Sequence, residues 1–166
     1  PRLPEMYDEP FADSSQIPTF LVSQLARKHV TVALSGDGGD ELFGGYNRYF
    51  HLRNRWQQIS RIPGRRLLSK LLAGPGSLMS GRWRDRFLYR AKLLGTTVDR
   101  SLYQHANLHW SPDADPVLNS NDAGTVYWNQ DAWLQTGNSI EEWMWLDSAT
   151  YLPDDILTKV DRASMA

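Results

Sequence analysis

Residues 35–41 read Ser-Gly-Asp-Gly-Gly-Asp-Glu, directly after the apolar, β-branched run Val30, Thr31, Val32, Ala33, Leu34. Glycine lets a backbone turn sharply and approach a ligand closely, and consecutive N–H groups in such a turn can cradle phosphate oxygens. Asp37, Asp40 and Glu41 add carboxylates that can hold a divalent cation or move a proton. The plain alternative is a glycine-rich hairpin with solvated acids, but three acids beside a buried strand repel one another unless a cation offsets them. A second set lies far along the chain, in the segment YLPDDILTKVDRASMA from Tyr151 to Ala166. On a helix, Lys159 and Arg162 are three apart and share a face, so two cations can converge on one polyphosphate. Standing alone, the segment is equally an amphipathic helix with ion pairs along its own face.

The elements needed to position these groups follow from local pattern. Pro1 to Ser15 has little periodicity and reads as an extended or looped lead-in. Ser14 or Ser15 then offers an N-cap for a helix to about Lys28, with Ile17, Phe20, Leu21 and Leu25 on one face. Val30 to Leu34 suits a short buried strand, so the order is helix, strand, glycine-rich turn. In open α/β folds ligands bind where the chain leaves the carboxyl end of such a strand. Asp40 to Arg55 has helical spacing through Phe43, Tyr46 and Phe50, with only Gly44 and Gly45 as breakers. Pro63 and Gly64 end that stretch, and a short helix RRLLSKLL is expected to stop at Gly74-Pro75-Gly76. Further helices are expected over 82–94, 101–109 and 139–152, with a polar loop over 111–125. Pro153 should stop the helix before it, and Asp154 should cap a last helix through Met165. One strand cannot make a sheet, so its neighbours are expected from sequence outside these 166 residues. The start at Pro1 and the uncapped end fit an excerpt from a longer protein.

Composition narrows the function classes. There is no cysteine, which excludes disulfides, thiolate metal ligands and a thiol nucleophile within this stretch. No segment approaches the ~18 to 20 uninterrupted apolar residues of a membrane span or resembles a signal peptide, so a soluble, cytoplasmic protein without a membrane partner is expected. The net charge of −1 hides an uneven distribution, because 13 of the 18 lysines and arginines fall between Arg48 and Arg100 beside only Asp85 and Asp99. Such a stretch can meet nucleic acid, a nucleotide or an acidic partner, but helices with solvated, arginine-rich faces are the favoured reading. RWRDRFLYRAK interleaves aromatics with arginines as single-strand binders do, arginine stems over apolar surface being at least as common an explanation, and nucleic acid is not the expected partner. His105 and His109 have the i, i+4 spacing of a zinc pair, yet no glutamate follows His105 and no cysteine is present. Trp128, Trp133, Trp143 and Trp145 are expected to pack the second half of the chain.

Two short motifs are similar to known loops. Gly38 to Leu42 is similar to the GGDEF motif of diguanylate cyclases, but helical spacing follows it where that motif would need a second strand. The hexad at Ser35 to Asp40 is similar to the SGGxDS loop of ATP pyrophosphatases, with Asp37 and Gly38 out of place and the final serine missing. A Walker A loop is excluded, since Gly-Lys occurs nowhere.

Taken together, LSGDGGDELFGGY and YLPDDILTKVDRASMA strongly resemble the synthetase domain of glutamine-dependent asparagine synthetases, and the lead-in YDEPFADSSQIPTFLVSQLARKHVTVAL is similar to their AsnB-type bacterial members. The resemblance covers roughly residues 7–50 and 147–166. It implies an α/β domain of the adenine-nucleotide α-hydrolase (ATP-pyrophosphatase) type, of which residues 1–166 form a mostly helical part with one core strand. The family's SGGxDS loop and its glutaminase domain are absent from this stretch, so the stretch alone is expected to bind ATP poorly and to be inactive. The implied reaction uses ATP and Mg²⁺: the aspartate side-chain carboxylate is adenylated, and ammonia from a glutaminase domain then displaces AMP to give asparagine. A homodimer is an allowed assembly. By the same resemblance Ser35, Gly36, Gly38 and Gly39 contact the nucleotide, and Asp37 serves adenylate formation and proton handling. Asp40 holds magnesium, while Lys159 and Arg162 face the phosphates, with no choice between them from spacing. The rivals are a related amide-bond former of the β-lactam synthetase or lasso-peptide cyclase type, acting on another carboxylate, and a nucleotide-binding module without catalysis.

Overall fold

The computed structural model describes residues 3–7, 10–78, 80–107 and 125–166, and all regular structure among them is helical. The chain divides into two units, Pro1–Gly45 with Met144–Ala166, and Tyr46–Trp143.

In the first unit the chain runs through α1 (Leu3–Met6), α2 (Gln16–Ala26) and α3 (Gly39–Phe43), and returns in the second half of α8 (Ser139–Ala149). A π-helical turn (Leu152–Leu157) then leads into α9 (Thr158–Met165). Met6, Tyr7, Leu146, Ile156 and Ala163 are buried, and α2 packs against α9. The lead-in is therefore partly helical, and its buried Tyr7 stacks on the half-buried Phe11 with ring centres 4.8 Å apart.

The expected buried strand at Val30 to Leu34 does not form among the described residues. The segment is irregular, with Val32 79% and Leu34 100% exposed. A strand persists through ladder hydrogen bonds to a neighbour, and none of the described residues pairs with this one. Its β-branched composition is a propensity that lacks a partner. The same holds for the apolar stripe of α2, where Ile17, Leu21 and Leu25 are all exposed.

Two breaks also depart from expectation. Gly44, at φ 70°, takes the left-handed conformation that ends α3, so Asp40 to Arg55 is two helices and not one. Conversely, Pro153 does not stop the chain. Asp154 is no N-cap, because its N–H donates to the Thr150 carbonyl at 2.9 Å and the π-helical turn carries the chain on into α9. A π-bulge accommodates the extra residue and the missing proline N–H within a continuing helix.

The second unit contains α4 (Asn47–Ser60), α5 (Arg65–Leu78), α6 (Gly81–Gly95) and α7 (Asp99–Asn107). It also holds a 3₁₀ turn (Gln130–Ala132) and the start of α8. Arg65, at the start of α5, donates to the carbonyls of Leu94 (3.0 Å) and Thr96, and Ser69 donates to Ala91 (2.6 Å), so α5 and α6 pack antiparallel. The helix α5 runs through Gly74-Pro75-Gly76 rather than ending there. Tyr49, Tyr103 and Trp143 form the aromatic core, Tyr103 stacking on Trp143 with ring centres 5.0 Å apart. Trp133 is buried as expected, whereas Trp128 is 40% exposed.

The arginine-rich stretch serves this unit internally. Arg48 lies 4.2 Å over the Tyr46 ring, Arg65 5.3 Å over Trp56 and Arg86 5.3 Å over Trp83, while Arg55 donates to the Tyr89 hydroxyl. Arginines that cover aromatic faces gain cation–π attraction and hide apolar surface, one of the readings the sequence left open. The zinc-pair spacing finds no support either. The ring Nδ1 of His105 is engaged with the Ser101 carbonyl, and His109 lies outside the described residues, as does most of the polar loop over 111–125.

Candidate functional site

An open groove of about 680 Å³ runs through the first unit between α2, the segment 30–37 and α9. Its polar wall is formed by Ser15, Thr19, Ser35, Asp37, Lys159 and Ser164, and its apolar wall by Val22, Val30, Val32 and Met165 among others. Ser35 and Asp37 thus meet Lys159, more than a hundred residues later in the sequence, in one concavity. Arg162 is exposed and is not among the groove-lining residues, so the two cations that spacing left equivalent are distinguished by their surroundings.

The glycine-rich turn is ordered by its own backbone. The Gly39 N–H donates to the Gly36 carbonyl at 3.1 Å, and the Leu42 N–H to the Gly38 carbonyl at 3.0 Å. Gly38 needs its glycine, because φ is 86°, a left-handed conformation that costs an L residue about 1 to 2 kcal/mol. The Gly39 N–H is therefore already used and is not a free donor for a phosphate. Space beside Gly36 is open, since a Cβ there would meet nothing within 4 Å.

Asp40 does not join Asp37. It lies outside the groove lining, and its side chain lies against Gly45, where an added Cβ would collide with the carboxylate. Glu41 is buried in α3, 1% exposed, and is likewise not a groove residue. Among the described residues no three His, Asp or Glu side chains gather as a metal site. Among the described residues, Asp37 is the carboxylate in the groove lining, and Asp40 is not part of that lining.

Lys159 is the most constrained of the expected site residues. Its Nζ lies 2.9 Å from Asp13 Oδ2, with the lysine side chain 9% and the aspartate side chain 20% exposed. Asp13 also accepts from the Ser15 N–H at 2.8 Å and from the Ser15 hydroxyl at 2.7 Å. Ser15 thus spends its hydroxyl on Asp13 and makes no side-chain cap on α2. Burial alone would lower the Lys159 pKa, but the hydrogen bond to Asp13 and the charges of Asp13 and Asp155 outweigh it and raise the pKa. Burial would raise that of Asp13, and the hydrogen bonds from Lys159 and Ser15 win, so its carboxyl is held low. Both groups are therefore charged at neutral pH. The backbone around Lys159 is pinned as well, because the Tyr7 hydroxyl donates to the Lys159 carbonyl at 3.2 Å. Tyr7 keeps that proton, its pKa raised by burial and then by the Asp13 charge.

Asp13 and Tyr7 were not legible as site residues. The available signal was local only: an aspartate two residues before a serine at a helix start suggests an Asx-type turn, and nothing in it points to Lys159.

The comparison with known proteins decides the family. The profile described as "Asparagine synthase" matches residues 1–166. The chain belongs to the asparagine synthase family. Domains of this family are of the adenine-nucleotide α-hydrolase type, of which this chain displays a helical part. The chain is 32% identical over 179 residues to "Asparagine synthetase (glutamine-hydrolyzing) 1" of Bacillus subtilis, a match that covers 100% of this chain and 26% of that family member. "Putative asparagine synthetase (glutamine-hydrolyzing) 2" of Methanocaldococcus jannaschii is 71% identical over 59 residues, 35% of this chain and 11% of that one. "Putative asparagine synthetase (glutamine-hydrolyzing)" of Mycobacterium tuberculosis is 33% identical over 176 residues, 99% of this chain and 26% of that one. The chain thus spans about a quarter of the length of the full-length relatives it matches. No solved structure matches it. Among the described residues, no helix is long and apolar enough to cross a membrane.

Proposed function

We propose that this chain forms one wall of the ATP site of an enzyme that adenylates the side-chain carboxylate of aspartate and transfers ammonia to it. The observation that carries the reading is the groove in which Ser35 and Asp37 meet Lys159. Family membership supplies the reaction class.

The residue chemistry suits both halves of that reaction. A carboxylate oxygen of aspartate attacks the α-phosphorus of ATP, and the bond to the β,γ-pyrophosphate oxygen breaks. The Lys159 ammonium, fixed at the groove wall, offsets the charge that collects on the departing pyrophosphate. The Ser35 hydroxyl and the open backbone at Gly36 are donors for phosphate oxygens. Ammonia nitrogen then attacks the acyl carbon, AMP leaves, and the amine must lose a proton. Asp37 is the groove carboxylate placed to take it. The family's SGGxDS loop, supplied from elsewhere in the full-length protein, would complete the grip on pyrophosphate, and a glutaminase domain would deliver the ammonia.

Aspartate-dependent exchange of labelled pyrophosphate into ATP by the full-length protein tests this reading. Exchange is expected with aspartate and not without it. Exchange supported only by a different carboxylate would transfer the assignment to the β-lactam synthetase or lasso-cyclase type, and no exchange with any carboxylate would leave a nucleotide-binding role.

A further inference from the structure

We propose that Asp13 is a positioning residue for the adenylation step, holding the Lys159 ammonium at the groove wall where the polyphosphate of ATP arrives; this rests on the reading above, in which Lys159 meets the phosphates. A lysine has a flexible four-carbon stem, and an ammonium free to sample solvent would face the groove for only part of the time. Here the contact to Asp13 fixes its head, and the Tyr7 hydroxyl fixes its backbone.

Asp13 is itself anchored. Ser15 holds the carboxylate from two directions, and the Gln16 side-chain amide donates to the Phe11 carbonyl at 3.1 Å. Phe11 in turn stacks on Tyr7. Tyr7 and residues 10–16 thus act as a brace, Tyr7 tied to the backbone of Lys159 and Asp13 to its side chain. The groups that bear on the ammonium are Asp13 and the Tyr7 hydroxyl from this brace, and Tyr151 and Asp155 from the residues preceding α9. Of these, Asp13 takes a hydrogen bond from Nζ at 2.9 Å. Asp13 is not a groove-lining residue, whereas Lys159 is, so Asp13 acts on an incoming phosphate through the lysine.

Two readouts in the full-length protein separate positioning from a merely structural role. In aspartate-dependent pyrophosphate exchange, Asp13→Asn should lower kcat about tenfold, the scale expected for a misplaced catalytic group. The KM for aspartate should stay close to wild type, and the alkaline limb of the pH profile should move to lower pH. Asp13→Glu should recover most of the rate, and Asp13→Asn should cost nothing further in a Lys159→Met background. An unchanged rate and alkaline limb in Asp13→Asn, or losses that add in the double variant, would overturn the proposal.

The second readout needs no aspartate. Acylation of Lys159 by an amine-reactive ester, followed by peptide mass spectrometry, should be slowed by ATP in the wild type and much less in Asp13→Asn. Equal protection in both proteins, or protection in neither, overturns positioning whatever the exchange assay gives. Protection that depends on Asp13, together with no aspartate-dependent exchange, would instead overturn the choice of aspartate as substrate and leave the positioning role standing.

Discussion

Replacing Asp37 by asparagine is expected to lower asparagine formation by roughly 10²- to 10⁴-fold, the usual worth of a positioned general base. The substitution keeps size and polarity and removes only the ability to accept a proton. Asp37 is exposed at the groove rim, and no hydrogen bond from its side chain holds the fold together among the described contacts, so the melting temperature should change little. Amide synthesis measured beside pyrophosphate exchange locates the defect. Exchange that persists while synthesis fails places the proton transfer in the ammonia step, and joint loss places Asp37 in adenylate formation. Synthesis at the wild-type rate would remove the role.

The largest stability effect is expected in the other unit, at the pair formed by Arg100 and Glu142. Arg100 Nε donates to Glu142 Oε2 at 2.8 Å, and the Gly137 N–H donates to the other carboxylate oxygen at 3.2 Å. The Glu142 side chain is only 6% exposed and that of Arg100 19%. Glu142→Ala leaves a largely desolvated guanidinium without its carboxylate and should cost about 3 kcal/mol, the low end for breaking a buried pair because Arg100 keeps some contact with water. The hydrogen bond from Arg100 holds the Glu142 carboxyl below its ordinary range, against the opposing effect of burial. A depressed carboxyl pKa contributes stability above the unfolded-state value, roughly 4.3, and loses it as pH falls through the folded-state value. The gap between wild type and variant should therefore be full at pH 7 and shrink in acid. Urea unfolding at the two pH values, followed by tryptophan fluorescence, checks both magnitude and sign. A gap that is constant with pH would mean that lost packing, not lost charge, explains the cost.

The sequence was most informative where one local rule decides a local outcome. Gly38 sits in left-handed backbone that only a glycine adopts cheaply, and its turn falls within the glycine-rich stretch that suggested it. Arg48, Arg65 and Arg86 cover aromatic rings, whereas the interleaving of arginine with aromatics in residues 82–92 leaves nucleic-acid binding and cover of apolar surface both open. Failures came where the outcome depends on something distant. Val30 to Leu34 has the composition of a strand, but strand formation is a property of a pair, and no described segment supplies the second member. Pro153 and Asp154 look like a stop and a cap, yet the chain arrives already helical and a π-helical turn absorbs the proline.

Long range also explains what was missed at the site. Asp13 and Lys159 are 146 residues apart, and no spacing rule joins them. Lys159 and Arg162 are equivalent by periodicity, and only the packing of α9 against α2 turns one into the groove and leaves the other outside its lining. Asp40 and Asp37 are three residues apart and were expected to work together. The left-handed turn at Gly38 and the tight approach of Gly45 instead send their carboxylates to different places.

The fate of the aspartate carboxylate oxygens tests most directly whether this groove serves adenylation. With the full-length protein and aspartate labelled with ¹⁸O in its side-chain carboxylate, attack on the α-phosphorus followed by displacement with ammonia must leave one labelled oxygen in the phosphate of AMP and the other in the amide of asparagine. Label in inorganic phosphate, or asparagine formed with no label in AMP, would contradict adenylation at this site.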